Sequence, residues 1–447
     1  MASAGIQPGV DRPAPGPQAN PASLGPEQPW AAPVANGAIH GTVHLPGSKS
    51  LTARALVIAA VADAPTVLHA PLRARDTLLM AAGLAELGAR VSDGPGGSWR
   101  IEPSPLAART ATIDCGLAGT VARFLPPLAA LGEAPIRFVG DPRMSQRPLR
   151  PLLDALRTLG AAVDADAIPV VVKGPVGGGA VDLDASTSSQ LLSGLLLAGP
   201  AMPEGIAVRH LGPPVPSAHH VAMTVAMLRE AGVAVDDSTP NCWRVTGGPL
   251  VAGERTIEPD LSSASAFLAA AACTGGTVTI PAWPTSTAQP GAALPGLLEQ
   301  MGCQSGLDAV GLRLVGPARL TGLTADLRDF PELALTIAAL AALAGTPSRL
   351  TGIAHLRLQE SDRLGVLAAE LHKLGARIEV LPDGFAITPA PLSAHDGVTL
   401  DPHADHRLAM AFAVVGLIVP GVHIRNITTT DKTLPGFAQM WGRLVSG

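Results

Sequence analysis

Tyrosine is absent from this 447-residue chain, and aromatic residues make up only 3% of it. Without aromatic faces there is no platform on which bases could stack. Charged residues are scarce too, at 15%, and the net charge is −5, so no basic field draws in nucleic acid. The four cysteines, Cys115, Cys242, Cys273 and Cys303, are scattered with no CxxC pair. That argues against a disulfide framework or a metal site and fits a reducing cytoplasm. Lysine is rare as well. Lys49, Lys173, Lys373 and Lys432 are the four lysines among 31 basic residues, so a lysine inside a motif is not this chain's default cation.

Long apolar runs are also missing, although hydrophobic residues reach 47%. The charge-free segment 261–298 is broken by Gly275-Gly276 and several prolines, and the run 333–348 is shorter than a span needs. A membrane-crossing helix takes about 20 apolar residues, so none is expected. Residues 1–37 are rich in Ala, Pro and Gly, with no basic stretch leading into an apolar one. They read as a disordered tail rather than a secretory signal.

What the chain does have is a repeat. Five helical patterns end in glycine, at Gly88, Gly160, Gly232, Gly302 and Gly375, and their numbers differ by 72, 72, 70 and 73. Each glycine is placed to close a helix in a left-handed cap, with a strand pattern following. One further step of similar length reaches Gly447. A second helix type alternates with the first, opening on small polar residues near Ser50, Thr120, Ser189, Ser263, Glu332 and His406 and continuing in Ala and Leu. This period is too long for a solenoid repeat and suits six small α/β units, grouped into two domains of three with ligands between them. The second helix type has no polar face. It is expected to be buried all round, with only its first turn exposed.

The chemistry-bearing motifs sit at those first turns. Leu45-Pro46-Gly47-Ser48-Lys49-Ser50, followed by Arg54, sets a Lys, two hydroxyls and an Arg at a turn running into a helix. It is not a P-loop, whose spacing it fails. Gly116 and Gly119-Thr120 permit close backbone approach just before a helix, whose free N–H groups favour anions. Arg143 and Arg147 lie in a proline-bounded turn, Ser188, Ser189 and Gln190 open another helix, and Ser217 precedes His219-His220. Glu332 heads the most apolar helix. Glu360, Asp362 and Arg363 follow in one motif, Asp405, His406 and Arg407 in the next, and Lys432 in the last. Lys49, Arg54, Arg143, Arg363, Arg407 and Lys432 would supply six cations, suited to ligands carrying phosphate and carboxylate groups together. Glu332 and Glu360 are the acid and base candidates beside them.

Taken in order, LPGSKSLTARA, GLAGTVARF, GDPRMSQRP, STSSQLLSGLL, LSSASAFLAAAA, QESDRL, DHRLAMAF and KTLP resemble the 5-enolpyruvylshikimate-3-phosphate synthase family of enolpyruvyl transferases from about residue 40 to 440. The resemblance implies an α/β fold of two domains, each of three βαβαββ units around buried parallel helices. It implies a discontinuous first domain, 38–48 plus 256–447, a second domain, 49–255, and an active site in the cleft, where the domains close on substrate. The implied reaction transfers the enolpyruvyl group of phosphoenolpyruvate to the 5-hydroxyl of shikimate 3-phosphate by addition and elimination, within the shikimate pathway to chorismate and the aromatic amino acids. No cofactor or metal is implied, nor any nucleic-acid or membrane partner, and a cytoplasmic monomer is expected.

By the same resemblance, Lys49, Ser50, Arg54, Ser188, Ser189, Gln190, Ser217, Glu332, His355 and Gln359 are expected to bind shikimate 3-phosphate. Lys49, Gly119, Arg143, Arg363, Arg407 and Lys432 are expected to clamp phosphoenolpyruvate. Glu332 stands at the acceptor of the hydroxyl proton, and Glu360 at the residue handling the methylene proton. The sequence departs from the family pattern at Leu117 for Asn, Phe124 for Pro, His220 for Tyr, His355 for Asn and Gln359 for Lys. The first two lie beside the family's glyphosate-binding loop, in which Gly119 is retained. The related UDP-N-acetylglucosamine enolpyruvyl transferases open on Lys-Asn and carry a reactive Cys in a mobile loop. Here Ser50 follows Lys49, and Cys115 stands ahead of a helix.

Overall fold

The computed structural model describes residues 28–447, and the statements below concern those residues. Each repeated glycine does end its helix. Gly88, Gly160, Gly232, Gly302 and Gly375 have φ of 122°, 100°, 82°, 100° and 88°, a region that side chains with a Cβ rarely adopt. The polar-headed helices are Lys49–Ala60, Gly119–Ala129, Ser189–Ala198, Ala264–Thr274, Ala334–Leu343 and His406–Ile418. Their starts fall at or within two residues of the expected positions. Every residue of Gly119–Ala129 is buried, and every residue of Ala334–Leu343 except the last. A helix without a polar face is stable only where protein surrounds it on all sides, and that is where these lie.

Five of the six units run strand, buried helix, strand, outer helix, strand, strand; the last ends at its outer helix, Phe437–Ser446. In the unit from 111 to 173, Ala111–Asp114 pairs parallel with Ile136–Val139, and Val170–Lys173 lies antiparallel to the latter. The unit from 179 to 245 repeats this with Gly179–Leu183, Ile206–His210 and Cys242–Val245. Two units take their first strand from far away in the chain. Glu254–Thr256 pairs parallel with Thr66–His69, and His40–Thr42 pairs parallel with Thr277–Pro281.

Two hydrophobic cores result. One gathers buried residues from Ala53 to Ile257. The other gathers Trp30 to Val43 together with Leu261 to Leu444. The two passages between them run side by side. Ser48 N donates to Glu258 O at 2.8 Å, Asp260 N donates to Pro46 O at 2.9 Å, and Gly47 bridges to Pro259. The C-terminal helix Phe437–Ser446 is sealed onto the second core by Phe267, Phe437 and Trp441, with ring centroids 5.4 to 5.8 Å apart. No helix among the described residues is long and apolar enough to cross a membrane.

The tail expectation is corrected at its end. Residues 1–27 lie outside the described residues, but Trp30–Ala31 forms a strand antiparallel to Val422–Ile424, and Trp30 is only 6% exposed. It supplies a third strand to a sheet that otherwise holds Val398–Leu400 and Val422–Ile424. The gain is burial of the indole against the core, a long-range contact that a two-residue strand cannot announce in its own sequence.

Candidate active site

The heads of five of the six polar-headed helices, all but that of Ala264–Thr274, meet in a cavity between the two cores. From the Ala53–Ile257 side it is lined by Lys49, Ser50, Asp76, Gly119, Thr120, Arg147, Thr187, Ser188, Ser189, Gln190, Pro216, Ser217 and His220. From the other side come Pro331, Glu332, His355, Leu356, Gln359, Glu360, Arg363, His406 and Arg407. Buried polar atoms with no protein partner concentrate here. Of those found among the described residues, all but the ones on Arg123 and Trp441 belong to cavity-lining residues. Such atoms are rare in folded proteins, and their clustering points to a polar ligand as the missing partner.

Lys49 is the first residue of its helix, immediately after the passage between cores. Its backbone N–H donates to Asp260 Oδ2 at 3.0 Å, and its ammonium lies 3.6 Å from Asp76 Oδ2. Burial lowers its pKa; Asp76 opposes this, while Lys432 and Arg407 add to it. Gly119 leaves room for its neighbours: a Cβ there would come within 2.9 Å of Arg147 Nη2 and Gln190 Oε1. Ser188 caps its helix by accepting from Gln190 N at 3.3 Å.

The opposite wall is a charge cluster. Arg363 donates to Asp405 Oδ2 through Nε at 2.7 Å and to Glu360 Oε2 through Nη2 at 2.9 Å. Burial alone would lower the pKa of Arg363, but Asp405 and Glu360 outweigh it and raise it. Burial alone would raise that of Glu360; Lys432, Arg363 and Arg147 outweigh it and hold the carboxyl well below its usual range. Asp405 is fully buried and also caps its own helix, accepting from Arg407 N at 3.0 Å. Arg407 Nη1 donates to Glu332 O at 2.8 Å. Each cation therefore already has a carboxylate or carbonyl that fixes its direction before any ligand arrives.

Three expected ligand residues stand elsewhere. Arg143 does not line the cavity. Its Nη1 donates to Gln146 Oε1 at 2.7 Å on the outside of the turn. Arg147, four residues on, takes the inner place, 7% exposed, donating to Leu117 O at 3.1 Å and Gln359 Oε1 at 3.2 Å. The reason is geometric. The 3₁₀ turn Met144–Gln146 points its two flanking arginines in different directions. Arg54 is 1% exposed and sits beneath the lining, donating to Thr224 Oγ1 at 2.8 Å, Ser50 O at 3.0 Å and His220 O at 3.0 Å. Its guanidinium braces three elements instead of facing the cavity, and burial lowers its pKa to about 9. Lys432 stands behind Glu360, which it contacts, with Leu117 O at 3.4 Å and Asp76 Oδ2 at 3.9 Å. The other expected residues line the cavity.

Comparison with known proteins is decisive at this point. The family model described as EPSP synthase (3-phosphoshikimate 1-carboxyvinyltransferase) matches residues 34–441. The chain belongs to the EPSP synthase family. A 3-phosphoshikimate 1-carboxyvinyltransferase of Mycobacterium ulcerans (strain Agy99) is 50% identical over 432 residues, covering 94% of this chain and 98% of that one. Two solved structures of EPSP synthase from Acinetobacter baumannii superpose with TM-scores of 0.75 and 0.74, at 26% and 25% identity, each covering 92% of this chain and 97% of that one. The EPSP synthase fold is thus the α/β arrangement of sheets and buried helices described above.

Sequence reasoning missed Asp76, Thr187, His220 and His406 as lining residues, and named Arg143 where Arg147 is the arginine of that turn that lines the cavity. His220 and His406 carried a signal, since both stand in motifs at the head of a helix. Asp76 carried none. It opens an outer helix, Arg75–Leu87, with the sequence of an ordinary first turn.

Proposed function

We propose that this chain catalyses the transfer of the enolpyruvyl group of phosphoenolpyruvate to the 5-hydroxyl of shikimate 3-phosphate, with release of phosphate, as a step in aromatic amino acid biosynthesis. The observation that carries the reading is the convergence, in one cavity, of Lys49, Arg147, Arg363 and Arg407 beside two buried carboxylates, Glu332 and Glu360. Four cations suit two ligands that each bear a phosphate and a carboxylate. We take Lys49, Ser50, Ser188, Ser189, Gln190, Ser217, His355 and Gln359 as contacts for shikimate 3-phosphate. Lys49, Gly119, Arg147, Arg363 and Arg407 hold phosphoenolpyruvate, with Lys432 and Arg54 behind the lining as braces. The domain boundaries follow the two cores, with the passages at 44–49 and 256–260 joining them.

The chemistry balances without a covalent enzyme adduct. The acceptor hydroxyl oxygen attacks C2 of phosphoenolpyruvate, its proton passes to Glu332, and C3 takes a proton from the Lys432 ammonium by way of Glu360, which it contacts. The tetrahedral intermediate then expels phosphate and returns a C3 proton to the Glu360–Lys432 pair, which restores the C2–C3 double bond as the enol ether of the product. Glu332 suits its part. Oε1 is held by His220, while Oε2 has no protein partner and keeps its capacity to accept a hydrogen bond. The UDP-sugar reading finds no support in Cys115, which is fully buried with its thiol pushed up to about 12, chiefly by burial. A reactive cysteine needs the opposite.

The test is phosphate release from phosphoenolpyruvate, with shikimate 3-phosphate or with UDP-N-acetylglucosamine as acceptor. Release with the first alone is expected; release with the second, or with neither, refutes the reading. In the same assay Arg147→Ala should lose activity by a factor of about 100 or more, the loss of a charge-assisted contact made to the reacting donor. Arg143→Ala should stay near the parent. The reverse pattern would return the role to Arg143.

A further inference from the structure

Glu332 owes its orientation to a residue on the far side of the cleft. His220 lies in the first turn of the helix Ala218–Glu230, which packs on the Ala53–Ile257 core, whereas Glu332 leads into Ala334–Leu343 in the other core. His220 Nε2 and Glu332 Oε1 are 2.5 Å apart, the side chains being 13% and 17% exposed, and both line the cavity. The imidazole thus holds one of the two carboxylate oxygens of Glu332. Its own backbone is anchored in turn, since His220 O accepts from Arg54 Nη2 at 3.0 Å and from Thr224 Oγ1 at 2.9 Å.

We propose that His220 is a positioning residue for the reaction, a partner from the opposite wall of the cleft that holds Glu332 in place for the acceptor hydroxyl. This inference rests on the enolpyruvyl-transfer reading given above. A carboxylate bonded through one oxygen only could rotate, and an aspartate- or glutamate-based acceptor works only within hydrogen-bond reach of the proton it takes. His220 removes that freedom across the cleft, so Glu332 becomes correctly aimed only in the closed arrangement.

The surroundings bear this out. Burial would raise the pKa of Glu332, yet His220, by charge and hydrogen bond, and then Arg407 together bring it well below its usual range. The groups facing the pair come from each neighbouring element: Arg54 from Lys49–Ala60, Arg407 from His406–Ile418, Arg363 from Arg363–His372 and His355 from the turn Ala354–Leu358. The arginines keep their charge throughout the working range, and His355 has its pKa lowered by burial.

The experiment measures kcat and KM for phosphate release in the full-length protein and in His220→Gln and His220→Ala, with thermal melting to show that each variant is folded. Turnover by the parent establishes the underlying reading first, so its failure is separable from failure of this inference. The expected result has two parts. His220→Ala loses roughly 10- to 100-fold in kcat with a smaller change in KM. His220→Gln, which still offers an N–H to Oε1, recovers most of that loss. Folded variants whose kcat matches the parent's, or in which Gln rescues nothing relative to Ala, would overturn the proposal.

Discussion

The two walls of the cavity are made of different material. Every hydroxyl that lines it, on Ser50, Thr120, Thr187, Ser188, Ser189 and Ser217, belongs to the Ala53–Ile257 side. The facing wall contributes no serine or threonine; its polar groups are the Glu332, Glu360, Arg363 and Arg407 cluster with His355, Gln359 and His406. Hydroxyls both donate and accept, cost little to desolvate, and match a ligand rich in hydroxyls of its own. A buried cluster of ionised groups is costly to assemble unless its charges are paired; here Arg363 pairs with Asp405 and Glu360, Glu360 also with Lys432, and Arg407 donates to the Glu332 carbonyl. One wall is therefore suited to recognising an acceptor and the other to moving protons and stabilising charge. Arg147 and Lys49 are the exceptions, cations set in the hydroxyl wall where they face the cluster opposite.

That division can be broken most severely on the charged wall. Glu332→Gln preserves shape and removes the proton acceptor, and kcat should fall by about 10²- to 10⁴-fold in the phosphate-release assay while the melting temperature changes little. A loss of the same size arising wholly in KM would assign Glu332 to recognition and dissolve the contrast. On the hydroxyl wall, Ser189→Ala should raise KM for shikimate 3-phosphate up to about tenfold and leave kcat nearly untouched, the expected value of one neutral hydrogen bond. Substrate titration at fixed phosphoenolpyruvate gives that answer.

The smallest effect concerns stability alone. His406 is 2% exposed, neither ring nitrogen has a protein partner, and burial first, then Lys432 and Arg407, push its pKa well below 6.5. The unfolded chain then takes up the proton before the folded one, so stability is full above pH 6.5 and declines as pH falls below it. Denaturant titrations of parent and His406→Gln between pH 7.5 and 5 should show a flatter dependence in the variant. Equal slopes would mean that the imidazole is protonated in the fold.

Much of this was legible in the chain because it is written locally. A glycine closing a helix, or a Ser, Asp or Gly at its head, acts within a few residues, so the period and both helix types could be read in order. Burial of helices such as Ala334–Leu343 followed from their lack of any polar face. What escaped was set by distant partners. The strand at Trp30 depends on Val422–Ile424, and the direction of Arg147 depends on Leu117 and Gln359. Asp76 gains its place only because Lys49 and Lys432 arrive beside it. The exchange of first strands between the two halves was available only through the family resemblance, since a strand of three residues carries no mark of which sheet it joins.

The paired passages between the cores have a mechanical consequence. A single connecting chain would let the two halves swivel in any direction, like a ball on a string. Two connections laced together by Ser48, Asp260 and the Gly47–Pro259 bridge behave like a door hung at two points, which leaves one easy direction of swing. Lys49 is the next residue after the lacing and is tied to it through Asp260. It therefore sits on the hinge pin, where a swing of either half displaces it least.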